Sequence, residues 1–421
     1  MFQDYAREVV PNTKSVTGWH IGLIYIGVGL TLPAFLTGAM VGQNLGFWHG
    51  ILATLVAGLI LSISGMLTGW VGGRVKLSTY YICQMAFGGM IGKLISLLLT
   101  LTVFGWFGVT VNFFAQAVES VIDLPFMTET LWSGLGGFLM MTTAIWGFKG
   151  LKKFTLIAVP LIIFMLIYVA YQSVLLPTAN SLFSFAGTQE QSFGAIVSIL
   201  VGGWMVGVSL LPDLSRYAKT PAAGSFGGFL CFLPGLFLIM GLSMIPSIST
   251  GESDIIKTML TLGVPTLTAL TIILASWSSN DNNLYAASLG LASIIPSVPK
   301  WVITLVAGII GTVLGMLGIL DKFITFLVFL GVFIPPVAGA YIMDYMLNQN
   351  NYTLKHLSRM PNIYWSVTLG WGVGSAVAYM ATPLSNGGLG LLSLSTIPAL
   401  DGGISAALVV LLIQKISGRK F

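Results

Sequence analysis

Ser276, Ser278, Ser279, Asn280, Asp281, Asn282 and Asn283 stand together inside a stretch, 260–296, that is otherwise largely apolar. Adjacent hydroxyls at Ser278 and Ser279, helped by backbone carbonyls, suit a small, hard monovalent cation. Carboxamides such as Asn280 offer donor and acceptor from one group, matching the amide-like edge of a pyrimidine or purine. Asp281 has three readings: a proton carrier, a structural partner of another helix, or the polar end of a cavity; the structural one is favoured. Trp106, flanked by Gly105 and Gly108, and Trp204, beside Gly202 and Gly203, supply aromatic faces next to residues that leave room for a ligand. Two indoles on either side of a planar heterocycle give stacking and desolvation without charge. Trp19, Trp48, Trp132 and Trp301 fit the interfacial belt instead. The chain has no phosphate loop, dinucleotide fingerprint, metal-ligand spacing or catalytic triad, and its histidines are isolated. An enzyme is not expected.

Such a polar cluster needs a scaffold, and composition defines it. The chain has 421 residues, 56% hydrophobic and only 7% charged, with a mean hydropathy of +0.93. Soluble domains carry roughly 25% charged residues, so the expected solvent is hydrocarbon and the class an all-α polytopic membrane protein. Polar and ionisable side chains at membrane depth normally face a cavity or pathway. The net charge of +5 comes from dispersed basic residues, which argues against a nucleic-acid partner. No obligate protein partner is evident. Cys83 and Cys231 lie in apolar runs and read as small buried hydrophobes. The N-terminus lacks the pattern of a cleaved signal.

Apolar runs give twelve transmembrane helices near 18–42, 47–72, 83–118, 130–148, 154–176, 192–216, 223–247, 260–296, 300–319, 322–347, 362–383 and 396–415. The third and eighth are too long for one straight span, so a tilted helix or an attached interfacial segment is expected in each. With the N-terminus placed in the cytoplasm, 16 of the 18 basic residues fall on inner segments, Arg7, Lys76, Arg216 and Arg419 among them; Lys257 and Lys322 do not. Outer segments collect Glu119, Asp123, Glu129, Glu190, Glu252, Asp254, Asp321 and Asp401. This bias is the positive-inside rule. It predicts both termini cytoplasmic in a multi-pass inner membrane protein.

The first span contains Gly27, Gly29, Pro33 and Gly38, and the sixth Gly202, Gly203, Gly207 and Pro212. Glycine is also a packing residue in membranes, but these spans open two successive halves. Interrupted helices at corresponding places point to a midplane site. Unwound backbone there requires partners, such as cargo and ion. The expected organisation is a cytoplasmic segment 1–17, a five-plus-five inverted repeat over 18–347 (repeats 18–176 and 192–347), and two C-terminal helices with the cytoplasmic C-terminus over 348–421. Asp213 and Arg216, three residues apart, are expected to pair at the cytoplasmic face. Pro335 and Pro336 mark the tenth span as a bent gate or a kinked packing helix.

The segments "GWFGV", "GGW…PDLSRYAK", "WSSNDNNLYAASLG" and "IPPVAGAYIMDYML" resemble the nucleobase–cation symport family, most closely its bacterial cytosine permeases. The resemblance implies a ten-helix inverted-repeat (LeuT-type) core working by alternating access. It also implies a coupling sodium ion held by Gly29, Pro33 (or Leu32) and Ala275 carbonyls with the Ser278 and Ser279 hydroxyls. The base would stack between Trp106 and Trp204 and bond to Asn280, with Asn283 and backbone near Gly203 in the same site. Cytosine permeases have Thr-Thr at Ser278-Ser279, Phe at Trp204, and small hydroxyl residues at Gly203 and Val206. Function is thus expected to be sodium-coupled import of a nucleobase, cytosine favoured. Alternatives are a purine, hydantoin, allantoin or hydroxymethylpyrimidine cargo, proton coupling, and, further off, an amino-acid symporter or passive facilitator.

Overall fold

The first expected span divides at Leu30–Thr31. In the computed structural model, which describes residues 5, 7–122, 124–144, 148–176, 182–252 and 254–417, the chain runs through seventeen helices. They are α1 (Gly18–Gly29), α2 (Leu32–Val75), α3 (Thr79–Phe87), α4 (Gly89–Val121), α5 (Glu129–Ala144), α6 (Phe148–Val174), α7 (Phe193–Leu210), α8 (Pro212–Ser215), α9 (Pro221–Leu230), α10 (Leu236–Thr250), α11 (Ile255–Thr261), α12 (Pro265–Ile294), α13 (Lys300–Met316), α14 (Phe323–Asn348), α15 (Leu354–Leu357), α16 (Trp365–Ala381) and α17 (Pro398–Ser417). Asp123, Arg419 and Lys420, used in the charge pattern, lie outside the described residues.

Among the described residues, seven helices are long and apolar enough to cross a membrane, while α1 and α13 are shorter apolar helices. α2 consists of two helical segments joined at Gly46, whose φ of +70° a side chain would resist. A Cβ there would also lie 2.1 Å from the Phe185 carbonyl oxygen. On α2, Leu52, Leu55, Leu59 and Ile63 are 40–61% exposed and follow helical spacing, a stripe suited to lipid. Its glycines face inward, where lipid gives no hydrophobic drive and close backbone approach supplies the attraction. Gly69 and Gly224 of α9 touch so closely that a Cβ on Gly69 would sit 2.4 Å from the Gly224 oxygen. Gly69→Leu is expected to destabilise the fold by about 1–3 kcal/mol through overpacking, read as a lower thermal midpoint in detergent.

The long eighth stretch resolves as α12, preceded by the short α11. Ser276 to Asn283 all lie within α12, and Ser276, Ser278, Ser279, Asn280, Asp281 and Asn283 are buried. They are not an aqueous loop. Pro335 and Pro336 sit inside a continuous α14, and Pro234 sits in a π-helical turn, Cys231–Gly235, joining α9 to α10.

The sixth span departs from expectation. Gly202, Gly203 and Gly207 lie inside a regular α7, so the glycines do not break it. The irregularity comes at Leu211, just before Pro212. Leu211 N donates to Val208 O at 3.3 Å, an i−3 bond that leaves the Gly207 carbonyl free. Proline has no N–H and cannot continue the ladder. The Gly207 and Ser209 carbonyls accept instead from Tyr25 Oη (2.9 Å) and Tyr341 Oη (3.2 Å). Glycine alone lowers helix propensity by only about 1 kcal/mol, too little to unwind a packed span.

An N-terminal strap crosses one end of this bundle. Val16 pairs with Tyr217 and Lys219 (2.7 and 3.0 Å), and Val10 N donates to Lys76 O (3.2 Å). Arg7 reaches the far side, donating to Ala292 O (3.3 Å) in the last turn of α12 and to Val298 O (3.1 Å) in the connection to α13.

Candidate functional site

Pro33 is the cause of the break that opens the site. Its missing N–H is the one that Gly29 O would have accepted, and its ring crowds that carbonyl. Gly29 O accepts from Thr31 N instead, at 2.9 Å. Thr31 then caps α2, its Oγ1 accepting from Ala34 N at 3.1 Å. Against this break stands the middle of α12, whose Ser278 Oγ donates to Gly27 O at 3.3 Å.

A cavity of about 100 Å³ lies beside the break, several times the ~10–15 Å³ that one water needs. Its apolar wall includes Trp106, Trp204 and Phe232; its polar wall is Tyr25, Thr31, Thr37, Ser279, Asn282 and Asn283. Trp106 is held edge-on by Phe323 and Phe326, with centroids at 6.1 and 5.5 Å. Trp204 lies over the end of α1, so close that a Cβ on Gly29 would fall 2.3 Å from its Cη2.

The expected residues divide by helical face. Gly29, Trp106, Gly203, Trp204, Ser279 and Asn283 line the cavity. Ser278 touches α1 through Gly27, a carbonyl outside the expected ligand set. Ala275 is buried one turn before this pair, and Pro33 occupies the first turn of α2. Asn280 is turned away from the cavity: its Nδ2 donates to Phe107 O (3.3 Å) and Met140 Sδ (3.2 Å). Asp281 faces α5, accepting from Thr143 Oγ1 at 2.6 Å, while Thr143 accepts from Trp277 Nε1 at 2.7 Å. Asp281 is not among the residues that line the cavity.

Asp213 and Arg216 do not meet as a carboxylate–guanidinium hydrogen bond. Asp213 Oδ1 accepts from Thr79 N at 2.8 Å, capping α3, and Arg216 Nε donates to the Asp213 backbone oxygen at 3.0 Å. Their i, i+3 spacing persists, but the residues stand at a helix junction enclosed by α3, α12 and the strap.

A family model described as permease for cytosine/purines, uracil, thiamine and allantoin matches residues 10–405. The chain belongs to that permease family. It is 29% identical to the cytosine permease of Escherichia coli (strain K12) over 382 residues, 90% of each chain. It is 24% identical to the hydantoin permease of Microbacterium maritypicum over 411 residues, covering 88% of this chain and 83% of that one. Its fold is similar to that of Mhp1, a nucleobase-cation-symport-1 family transporter in a closed conformation with bromovinylhydantoin bound. That match has a TM-score of 0.82 at 19% identity and covers 97% of this chain and 94% of Mhp1. A sodium-coupled sialic acid symporter matches at a TM-score of 0.71 and 13% identity, over 96% and 90% of the chains. The permease is therefore a multi-pass membrane transporter and no enzyme.

Sequence reasoning missed Tyr25, Thr31, Thr37, Phe232 and Asn282 as cavity residues of the permease. For Asn282 the signal was present: with Ser279 and Asn283 it makes an i, i+3, i+4 set on one face, whereas Asn280 points about 100° from Ser279.

Proposed function

We propose that the permease imports a neutral nucleobase, cytosine favoured, together with sodium across the cytoplasmic membrane. The observation that carries this reading is one cavity where the α1 break, two indoles and the Ser279–Asn282–Asn283 face of α12 meet. The base stacks on Trp106 and Trp204. Sodium takes the Ser278 and Ser279 hydroxyls with carbonyls of Gly29, Ala275 and the Pro33 region, and Gly27 joins that set because Ser278 already reaches its oxygen. Asn280 supports the site from behind. The hydantoin-type alternative draws support from Trp204, since by the resemblance a tryptophan there is like the hydantoin-type members and a phenylalanine like the cytosine permeases, and the hydantoin permease relative is consistent with it.

In this reading twelve spans cross the membrane with both termini cytoplasmic. Segments 18–176 and 192–347 form the two halves of the inverted repeat; the pair of helices after 348 is accessory. Joint occupancy by ion and base favours alternating access, with Asp213, Arg216 and the Pro335-Pro336 helix among the parts that gate or brace it. One cation descending about 100 mV releases about 2.3 kcal/mol, enough for roughly fifty-fold accumulation of a neutral solute.

The test is uptake of radiolabelled cytosine by proteoliposomes in sodium and in choline buffer. Sodium dependence is expected, and Ser279→Ala should weaken it. Trp106→Ala should weaken cytosine binding by about tenfold or more, from stacking worth about 1–3 kcal/mol per base. Cytosine uptake indifferent to sodium removes the ion assignment, and absence of binding by any base removes the cargo class.

A further inference from the structure

Hydrogen bonds made outside the cavity decide what its polar residues still offer inside it. Tyr25 Oη donates its single proton to Gly207 O (2.9 Å), and Thr37 Oγ1 donates its own to Pro33 O (2.8 Å). A carbonyl only accepts, and a hydroxyl has one proton. Both residues therefore present lone pairs alone to a ligand.

Asn283 is oriented through a relay. The Phe107 carbonyl fixes the nitrogen of Asn280 on the α4 side, and Asn280 Oδ1 then accepts from Asn283 Nδ2 at 3.1 Å. Turning Asn283 alone would set two amide oxygens against each other. Turning both would set Asn280 Oδ1 against Phe107 O, and Asn280 is 0% exposed, so no water could relieve the repulsion. The relay spends one N–H of Asn283 on Asn280 and holds its oxygen, with both lone pairs unused, toward the cavity. By contrast Thr31, whose oxygen is occupied by Ala34 N, keeps its proton. Among the described residues no hydrogen bond commits Ser279 or Asn282.

We propose that Asn280 is a positioning residue that orients the Asn283 oxygen, and that this oxygen with two committed acceptors (Tyr25 and Thr37) makes the cavity select amino-bearing bases over dioxo bases of the same ring size. This rests on the nucleobase reading above. An exocyclic amino group brings two N–H donors where an oxo group brings only lone pairs. An oxo oxygen turned to Asn283 would leave two buried acceptors without a proton, which a site built for hydrogen bonding rejects.

The experiment measures binding of cytosine and of uracil to the purified full-length permease in sodium buffer, by competition against radiolabelled cytosine and by calorimetry with each base. Wild type is expected to bind cytosine at least about tenfold more tightly than uracil. Asn280→Leu frees Asn283 to turn, so the ratio should fall toward one with uracil binding unchanged or improved. A generally loosened site would weaken both bases together and keep the ratio. Tyr25→Phe, which removes a committed acceptor without touching α12, should lower the ratio as well. Equal or tighter uracil binding by wild type, or a ratio unchanged in a folded Asn280→Leu protein, overturns the proposal while leaving nucleobase transport standing. Wild type that binds neither base overturns the cargo class itself and the selectivity with it.

Discussion

Arg216→Ala is expected to destabilise the permease by about 3–5 kcal/mol, the usual cost of breaking a buried charged network, and to reduce uptake more than tenfold. Arg216 is 0% exposed and is the largest fully buried side chain among the described residues. Its guanidinium donates to Tyr285 Oη of α12 at 2.8 Å, to Tyr217 Oη at 3.4 Å and to Tyr5 O of the N-terminal strap at 2.7 Å. One side chain thus ties the end of the sixth span to α12 and to the strap, between the cavity and that end of the bundle. Alanine would leave several acceptors, and the Asp213 carboxylate, buried without their cation. Arg216→Lys should rescue little, because one ammonium cannot reproduce a planar fork serving separate acceptors. The measurements are the thermal midpoint in detergent and the labelling rate of a cysteine introduced at Ser288, which is 0% exposed on α12. Faster labelling from the strap side is expected. An unchanged midpoint together with unchanged labelling would sink the bracing role.

This residue marks the limit of what the sequence carried. Its i, i+3 relation to Asp213 was visible, so a local pair was expected. Its actual partners lie 211 and 69 residues away at Tyr5 and Tyr285, and only the tertiary fold brings them near. The helical content, the burial of the Ser–Asn cluster and the break at Pro33 were legible because each follows from local chemistry: apolar run length, the cost of buried polarity, a missing N–H. Of the four residues expected to interrupt the sixth span only Pro212 does so; the three glycines were given the weight of a proline, and they stay helical. Trp106 and Trp204 were found because an aromatic beside glycines within a span is locally unusual. Thr37 and Tyr25 were not, since a lone hydroxyl in an apolar helix has no local sign distinguishing a cavity wall from a satisfied core position. For α12 the information was present in the periodicity: Asn280 and Asn282 are the same residue type, and helical phase, not the resemblance that pointed to Asn280, tells which of them faces the cavity.

Gly29→Val is expected to weaken cytosine binding by roughly a hundredfold, the order of loss from an ångström-scale misplacement in a built site. The cause is steric. A Cβ at Gly29 would lie 2.3 and 2.5 Å from Cη2 and Cζ3 of Trp204, with Ile239 Cδ1 a further 3.3 Å contact. An indole is rigid and has only two torsions to adjust, so it must swing off its stacking position or force α1 from α7. Gly29→Ala should show the same defect in smaller degree, since the first carbon already makes the clash. Gly203, on the same cavity wall, is the control: its added Cβ would meet only Leu327 Cδ2, at 3.3 Å. The tip of a leucine can yield by a few tenths of an ångström, so Gly203→Ala should stay within about threefold of wild type. Calorimetric binding of cytosine and the quench of tryptophan fluorescence on its addition read both variants. Near-normal binding and quench in Gly29→Val would mean that Trp204 does not need its place over the α1 break to hold the base. The site would then have to be rebuilt around Trp106 alone.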